Sequence, residues 1–180
     1  MSNAGPFLIG GDGSTGHTSS TIVDNSVAVK VGDVIANVIA SNVEYTRRYN
    51  AAGDSVLGVL ISVVDPSTGG QAVPDSGTTD TWTVAADNRT VGKKYAVIDA
   101  SPHSIWSAPL DGTIHTTQAA RRGTFFDADT AANAGRIAEA SATRTITNGR
   151  SFTCHGVDPD SSTRVLVSIA ESYLLPKGDS

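Results

Sequence analysis

Short runs of alternating apolar and polar residues recur along the whole chain. Two of them, GKKYAVI at residues 92–98 and STRVLVSI at residues 162–169, share one pattern, in which a short polar or basic step leads into the alternation. A period of two residues is typical of a β-strand with one buried face. Such runs recur about every 8 to 12 residues, the spacing of a sandwich or barrel. The pattern therefore predicts an all-β protein, a small β-barrel or sandwich built from short antiparallel strands.

Local features refine this prediction. The near-continuous apolar run SVLGVLISVV at residues 55–64 predicts a central strand covered on both faces, and Gly58 within it indicates a bulge or a close backbone approach. Asn148 and Gly149 form the strongest short hairpin signal in the chain. A single helical turn is predicted around residues 117–121. No repeat of fixed period is visible, which argues against propellers and solenoids.

The domain organisation follows from where Gly and Ser concentrate. Residues 1–20 are dense in both and hold one apolar island at residues 7–9. A segment of this kind cannot build a core alone, so an extended and flexible N-terminal arm is predicted. Residues 21–175 are predicted to form a single β domain, followed by a tail at 176–180. The loop at 65–80, with two Pro and three Gly, is the place where two β subdomains would divide.

Composition narrows the classes of partner. Hydrophobic residues make up 39% of the chain and charged residues only 17%, and the net charge is −5. A net negative charge does not favour binding to nucleic acid, which is itself negative. No apolar run approaches the roughly 20 residues needed to cross a bilayer. We also expect no secretory leader, so that the chain folds in a cytoplasm. A weakly charged surface suits a protein that packs against neighbours, because burying neutral polar groups costs less than burying ions.

Candidate chemistry is sparse. Cys154 is the single cysteine, which excludes an intrachain disulfide and predicts a small buried strand residue. Residues 11–16 match G-x-G-x-x-G, but β-branched residues follow them where a dinucleotide site needs a helix. Two carboxylate pairs have the composition of turns rather than calcium loops: Asp127 with Asp129, and Asp158 with Asp160. We therefore predict no cofactor and no metal.

No catalytic motif is present. The four histidines are scattered and no G-x-S-x-G segment nominates a serine, so the chain is predicted not to be an enzyme. A hydrolase with an unrecognised Ser-His-Asp triad stays open as an alternative, because triad members lie far apart in sequence. The aromatic residues are predicted to pack in the core or an interface, with a sugar-binding platform as the alternative: Tyr45, Tyr49, Trp82, Tyr95 and Trp106.

The segment from Val27 to Val64 resembles part of the head decoration, or capsid cement, proteins of bacteriophages. In that pattern a V-x-x-G-D start of a strand is followed by a polar hairpin and then by a V-L-G-V strand. The matching residues here are Val31, Gly32, Asp33, Val56, Leu57, Gly58 and Val59. The C-terminal half, from VGKKYAVID through GTFFDAD to GVDPDSSTRVLVSI, is similar to the second β module of some phage virion proteins.

The resemblance implies a function. Decoration proteins are non-enzymatic, sit on the outer capsid surface, commonly form trimers where capsomers meet, and often clamp a neighbour with an extended terminal arm. The expected partners are therefore the major capsid protein and further copies of this chain in a homotrimer, and the expected location is the virion surface after assembly in the host cytoplasm. The alternatives are a receptor- or glycan-binding module of a phage tail or fibre, and the hydrolase above.

Three residues of the arm are predicted to bind the partner. Phe7, Leu8 and Ile9 are consecutive large apolar side chains between a Pro and two Gly. Burying each of them is worth roughly 1.5–3 kcal/mol, and the glycines that follow give the freedom to reach another subunit. We therefore predict that these side chains anchor the arm on a neighbouring protein.

Overall fold

The computed structural model describes residues 7–10, 18–24, 28–40, 42–49, 55–85, 88, 93–110, 122–128, 137–143 and 151–170, with the backbone alone described at residues 7–10, 18–20, 40, 55 and 138–143. The described residues form fourteen strands and no helix, which confirms the all-β class. The strands are β1 Phe7–Gly10, β2 Thr18–Ile22, β3 Ala28–Lys30, β4 Val34–Ala40, β5 Val43–Arg48, β6 Ser55–Asp65, β7 Gly70–Gln71, β8 Thr81–Thr83, β9 Tyr95–Asp99, β10 Ile105–Pro109, β11 Phe125–Ala128, β12 Ile137–Thr143, β13 Phe152–Val157 and β14 Arg164–Ile169.

The strands fall into two large antiparallel sheets and one two-stranded ribbon. One sheet has the order β2-β9-β6-β4-β5, with β7 added to β6. The other has the order β1-β10-β14-β13-β11-β12. The ribbon pairs β3 with β8 and contributes buried Val29 and Trp82 to the core of the first sheet.

The first sheet closes on itself. Its terminal strands meet at an isolated parallel bridge between Val23 and Thr46, where the backbone N–H of Asp24 donates to the carbonyl of Thr46 at 2.7 Å. A ring of five strands with four antiparallel pairs must close with a parallel pair, because the number of strands is odd. The five strands β2, β9, β6, β4 and β5 therefore curl into a small barrel, called here the first barrel.

Asn88 reinforces this closure from inside. Its side chain is almost fully buried, with Nδ2 donating to the carbonyl of Val23 at 2.7 Å and Oδ1 accepting from the backbone N–H of Lys94 at 2.6 Å. One amide thus satisfies backbone groups on two segments that flank the junction of β2 and β9.

The second sheet closes in the same way. An isolated parallel bridge joins Leu110, just after β10, to Ile137 at the start of β12. The strands β10, β14, β13, β11 and β12 form the second barrel, and β1 lies outside the ring on the free edge of β10.

The two barrels have the same strand order. If the five strands of each barrel are numbered in chain order, their order around the ring is first, fifth, fourth, second and third in both barrels. Both also carry a bulge at the same place in the pairing of the fourth and fifth strands, and the extra residue is Ile61 in one barrel and His155 in the other. Identical order and identical bulge register mark an internal structural duplication.

Backbone geometry repeats as well. Gly32 and Gly123 both adopt positive φ, at 86° and 75°, directly before the second strand of each barrel. Each donates its N–H across the barrel at 2.9 Å, Gly32 to the carbonyl of Leu60 and Gly123 to that of Cys154. Glycine tolerates this left-handed conformation without the steric cost of a Cβ.

The duplication has no fixed period, which explains why the chain shows no visible repeat. The separation is 91 residues between Gly32 and Gly123 but 69 between Ile98 and Val167, which occupy equivalent places in the fifth strands. The shared pattern of residues 92–98 and 162–169 is a trace of this equivalence, because those segments form β9 and β14.

The buried apolar residues form two clusters. The first fills the first barrel beneath the β3-β8 ribbon: Val23, Val29, Ile35, Leu60, Val63, Ala72, Trp82, Val84, Ala96 and Ile98. The second joins the interior of the second barrel to buried residues of β4, β6 and Tyr49, and includes Val34, Val59, Trp106, Phe126, Phe152 and Val167. Because the second cluster draws on both barrels, the two barrels share a core.

The central strand behaves as predicted. β6 pairs with β4 on one side and β9 on the other. Leu60 belongs to the cluster inside the first barrel and its neighbour Val59 to the cluster shared with the second, so both faces are covered. Gly58 makes the predicted close approach, because a Cβ there would collide with the carbonyl of Asp99 and the side chain of Ile98.

The prediction that Asn148 and Gly149 connect two paired strands of a hairpin is wrong. The flanking strands β12 and β13 both pair with β11 and not with each other. The two turn residues lie outside the described residues. A turn signal acts over four residues and does not determine which strands pair. In the second barrel β11 lies between β12 and β13, and in the first barrel β4 lies between β5 and β6 in the same way.

Within the N-terminal arm predicted at residues 1–20, the described residues form β1 and the start of β2. β1 pairs with β10 and β2 pairs with β9. The physical reason is backbone hydrogen bonding, because the edges of β9 and β10 offer unpaired groups that an extended polar or apolar strand can satisfy. The β body therefore starts before residue 21.

The loop at residues 65–80 does not separate the two sheets. The chain passes from one to the other at residues 100–104, between β9 and β10. The loop instead packs on the first barrel, where Ala72 is buried and its carbonyl accepts a 2.9 Å hydrogen bond from Trp82 Nε1. The predicted helical turn at 117–121 and the tail at 176–180 lie outside the described residues.

Candidate partner-binding surfaces

The residues predicted to bind a partner lie on an edge strand. β1 pairs antiparallel with β10, Phe7 opposite Ser107 and Leu8 opposite Trp106, with a register shift before Gly10. The backbone of this segment is therefore held by the chain's own second barrel. Partner contact through the side chains of Phe7, Leu8 and Ile9 stays a prediction, because those side chains lie outside the described part of the structure.

The strand beneath β1 is fixed by a buried polar cluster. Ser107 is fully buried, and its hydroxyl donates a hydrogen bond to the carboxylate of Asp158. Arg164 donates from Nε to the same hydroxyl at 2.8 Å and from Nη2 to the Ser107 carbonyl at 2.7 Å. Partial burial lowers the pKa of Arg164, and the carboxylate of Asp158 opposes that shift. The cluster ties β10 to β14 and gives β1 a rigid support.

Asp158 also shapes the turn that follows it. Its Oδ1 accepts the backbone N–H of Asp160 at 2.9 Å, the hydrogen bond of an Asx turn. The prediction that this carboxylate pair belongs to a turn is confirmed. Of the other pair, Asp127 lies in β11, and Asp129 is outside the described residues.

The large apolar side chains that are exposed in the described chain all lie on the first barrel or its loops. Ile39 and Val43 flank the tip of the β4-β5 hairpin, with Ile39 74% exposed. Val73, in the loop after β7, is 82% exposed. Val31 and Ile61 complete the set. Single exposed apolar residues are ordinary, but Ile39 and Val43 lie at the tip of the same hairpin.

The two barrels differ in charge at one corner, which is formed by the bulged residue and the residue that precedes the positive-φ glycine. Val31 and Ile61 occupy this corner in the first barrel, and the equivalent positions in the second are Arg122 and His155. There Arg122 Nε donates to the His155 carbonyl at 3.4 Å. One corner is apolar and the other basic. No sequence signal pointed to these residues, because the comparison requires the structural equivalence of the two barrels.

His155 makes the serine contact that a hydrolase would require. Its Nε2 lies 2.8 Å from Ser168 Oγ, and partial burial followed by the charge of Arg122 lowers the pKa of the imidazole. Ser168 is 7% exposed. Among the described residues no carboxylate hydrogen-bonds to His155, so this part of the structure shows a serine–histidine pair.

The predictions for the aromatic residues and the cysteine are confirmed where the structure describes them. Tyr45, Tyr49, Trp82 and Trp106 are buried. Cys154 is buried in β13 and forms no disulfide. Tyr95, in β9, is half-buried.

No protein-family model, curated protein or solved structure matches this chain. Within the described ranges, no three His, Cys, Asp or Glu side chains group in a way that would hold a metal ion. The same part of the chain has no helix that is both long and apolar enough to span a membrane.

Proposed function

We propose that this chain is a non-enzymatic structural protein of a phage virion that decorates and stabilises the capsid by binding across capsomer junctions. Its partners are the major capsid protein and further copies of itself in a homotrimer on the outer surface. The resemblance at residues 27–64 motivates the proposal. The observation that carries it is the pair of exposed apolar side chains, Ile39 and Val43, at the tip of the β4-β5 hairpin.

A rigid body and a weakly charged surface both favour binding of this kind. Two barrels that share a core cluster form a stiff body, and a stiff body loses little conformational entropy when it binds. Interface centres are depleted in charged residues, and only 17% of this chain is charged. The tip of the β4-β5 hairpin, with Ile39 and Val43, is the part best suited to enter a groove between capsomers.

Co-sedimentation tests the proposal. Capsids of the phage that encodes this chain, stripped of accessory proteins, are mixed with the wild type, with Ile39→Ser/Val43→Ser, or with Phe7→Ser/Leu8→Ser/Ile9→Ser. Each multiple variant is expected to bind at least tenfold more weakly, about 1.4 kcal/mol, with its melting temperature nearly unchanged. Thr163→Ala, at an exposed position of the second barrel, is the control. Wild type that stays in the supernatant contradicts the proposal.

A hydrolase is the second candidate, because of the hydrogen bond between His155 and Ser168. In this function Ser168 Oγ would pass its proton to His155 Nε2 and attack the carbonyl carbon of an ester, whose C–O bond breaks so that the alcohol leaves with that proton; water would then hydrolyse the acyl group from Ser168. The test is hydrolysis of a p-nitrophenyl ester by the wild type and by Ser168→Ala. Equal background rates for the two proteins exclude the candidate. A glycan-binding module has less support, since four of its five candidate aromatic residues are buried, and a blank glycan array would exclude it.

A further inference from the structure

The corner formed by Arg122 and His155 on the second barrel, called here the basic corner, has no acidic partner in the described part of the chain. Both residues reach the solvent, and Arg122 Nε donates to the backbone carbonyl of His155 at 3.4 Å. Among the described residues no carboxylate forms an ion pair with either side chain. The charge of this corner is therefore not neutralised by the described structure, although the whole chain has a net charge of −5.

The two side chains repel each other when both are charged. Partial burial and then the permanent charge of Arg122 lower the pKa of His155, because a neighbouring like charge disfavours the imidazolium. The ring faces the neutral hydroxyl of Ser168 on β14 and the guanidinium that precedes β11, and no described carboxylate offsets the repulsion. An anion bound between the two groups would remove the repulsion and favour the protonated ring.

Three N–H donors of the basic corner are available to such an anion. The His155 carbonyl uses Nε of Arg122, and within the described ranges the two Nη groups have no partner. Nε2 of His155 lies 2.8 Å from Oγ of the buried Ser168, which fixes the orientation of the ring. When the ring is protonated, Nδ1–H is a further donor. The two Nη groups match two oxygens of an oxyanion, and Nδ1–H matches a third.

We propose that the basic corner binds a small tetrahedral oxyanion of the class of sulfate and inorganic phosphate. Three donors exceed the two oxygens of a carboxylate and suit an anion that has more. The equivalent corner of the first barrel holds Val31 and Ile61, which offer no side-chain donor, so the site belongs to the second barrel alone. The proposal is independent of the capsid function, because it concerns a small ion and not a protein partner.

Sulfate titration of the purified protein tests the proposal. Sulfate keeps a constant charge between about pH 5.5 and about pH 8, the range in which histidine changes its own charge, so a pH dependence of binding reports on the protein. Binding is followed by NMR from the ring signals of His155, with chloride keeping the ionic strength constant. We expect sulfate to bind at least tenfold more tightly at the lower pH. The ring signals of His103, an exposed histidine between β9 and β10, are the internal control and are expected not to respond to sulfate.

Two variants separate the roles of the two side chains. Arg122→Gln is expected to weaken sulfate binding at least tenfold at both ends of the pH range. His155→Gln, followed from the backbone amide of Gly123, is expected to bind more weakly and without pH dependence. Both side chains reach the solvent, so both variants are expected to keep the wild-type melting temperature. If sulfate affects His103 as much as His155, or binds Arg122→Gln as tightly as the wild type, the site is refuted. Acetate that binds as tightly as sulfate would overturn the assignment to a tetrahedral anion.

Discussion

Asp33 makes the stability of the first barrel depend on pH in a predictable direction. The residue follows the positive-φ Gly32 and is 7% exposed. Its Oδ2 accepts the backbone N–H of Lys30 at 2.8 Å. Burial raises the pKa of the carboxyl from 3.8 to about 6, although that hydrogen bond and the charges of Arg48 and Lys30 lower the pKa, and Asp80 raises it slightly. The folded protein therefore binds this proton more tightly than the unfolded chain does.

The sign and size follow by linkage. Because the pKa is higher in the folded state, the free energy of unfolding increases as the pH falls from 7 through about 6, and the gain is complete below about 3.8. At roughly 1.4 kcal/mol per pKa unit, the Asp33 contribution is about 3 kcal/mol. That corresponds to roughly 6–12 °C in melting temperature for a chain of this size.

The assay compares the wild type with Asp33→Asn, which keeps an acceptor for the Lys30 N–H and carries no proton to titrate. Asp33→Thr is the second variant, since Thr124 occupies the equivalent position in the second barrel. Urea unfolding is followed by tryptophan fluorescence from pH 4 to 7.5. The unfolding free energy of the wild type minus that of each variant is expected to increase as the pH falls.

Asp75→Asn is the matched control. Hydrogen bonds from the backbone and hydroxyl of Thr83 lower the pKa of Asp75 from 3.8, so its contribution is complete above that value and is lost only at lower pH. The difference curve for Asp75→Asn is therefore expected to stay nearly flat between pH 4 and 7.5, and an equally flat curve for Asp33→Asn would refute the reasoning about the buried carboxyl.

Three further predictions concern stability and are checked by urea unfolding at constant pH. Gly58→Ala is expected to cost about 1–3 kcal/mol, because its Cβ meets the carbonyl of Asp99, whereas Gly70→Ala, which faces open space, should stay within about 0.5 kcal/mol; equal costs would contradict this. Asn88→Ala leaves buried backbone groups at the barrel closure without partners and should cost about 1–3 kcal/mol, so a neutral change would exclude that role. Ser107→Ala should cost a similar amount, about 1–3 kcal/mol, and an unchanged midpoint would show that its hydrogen bonds contribute nothing net.

The fold class and the central strand were predictable from the sequence because both depend on local pattern. Alternation marks strands, and the apolar run of β6 marks burial on both faces. Strand order was not predictable, since it depends on which edges remain free after the ring begins to form. Asn148 and Gly149 illustrate this, because their local turn signal does not indicate that β12 and β13 both pair with β11.

The duplication and the surfaces escaped prediction for a related reason. Equivalent positions hold residues as different as Gly58 and Phe152, or Ile61 and His155, so no residue pattern repeats. The backbone is what repeats, through Gly32, Gly123 and the two bulges. Candidate partner residues were predictable only where apolar residues cluster in sequence, as at residues 7–9, and not where a corner assembles them from distant strands.

The position of β10 between β1 and β14 has a mechanical consequence. The first and last strands of the described chain both pair antiparallel with this one strand, so they run parallel to each other and their outer termini point in opposite directions. Tension between the two ends of the chain would then pull β1 and β14 past β10 along the strand direction. All hydrogen bonds of both ladders would be loaded together and not opened one by one, while the first barrel, inserted between β1 and β10, would carry none of the load.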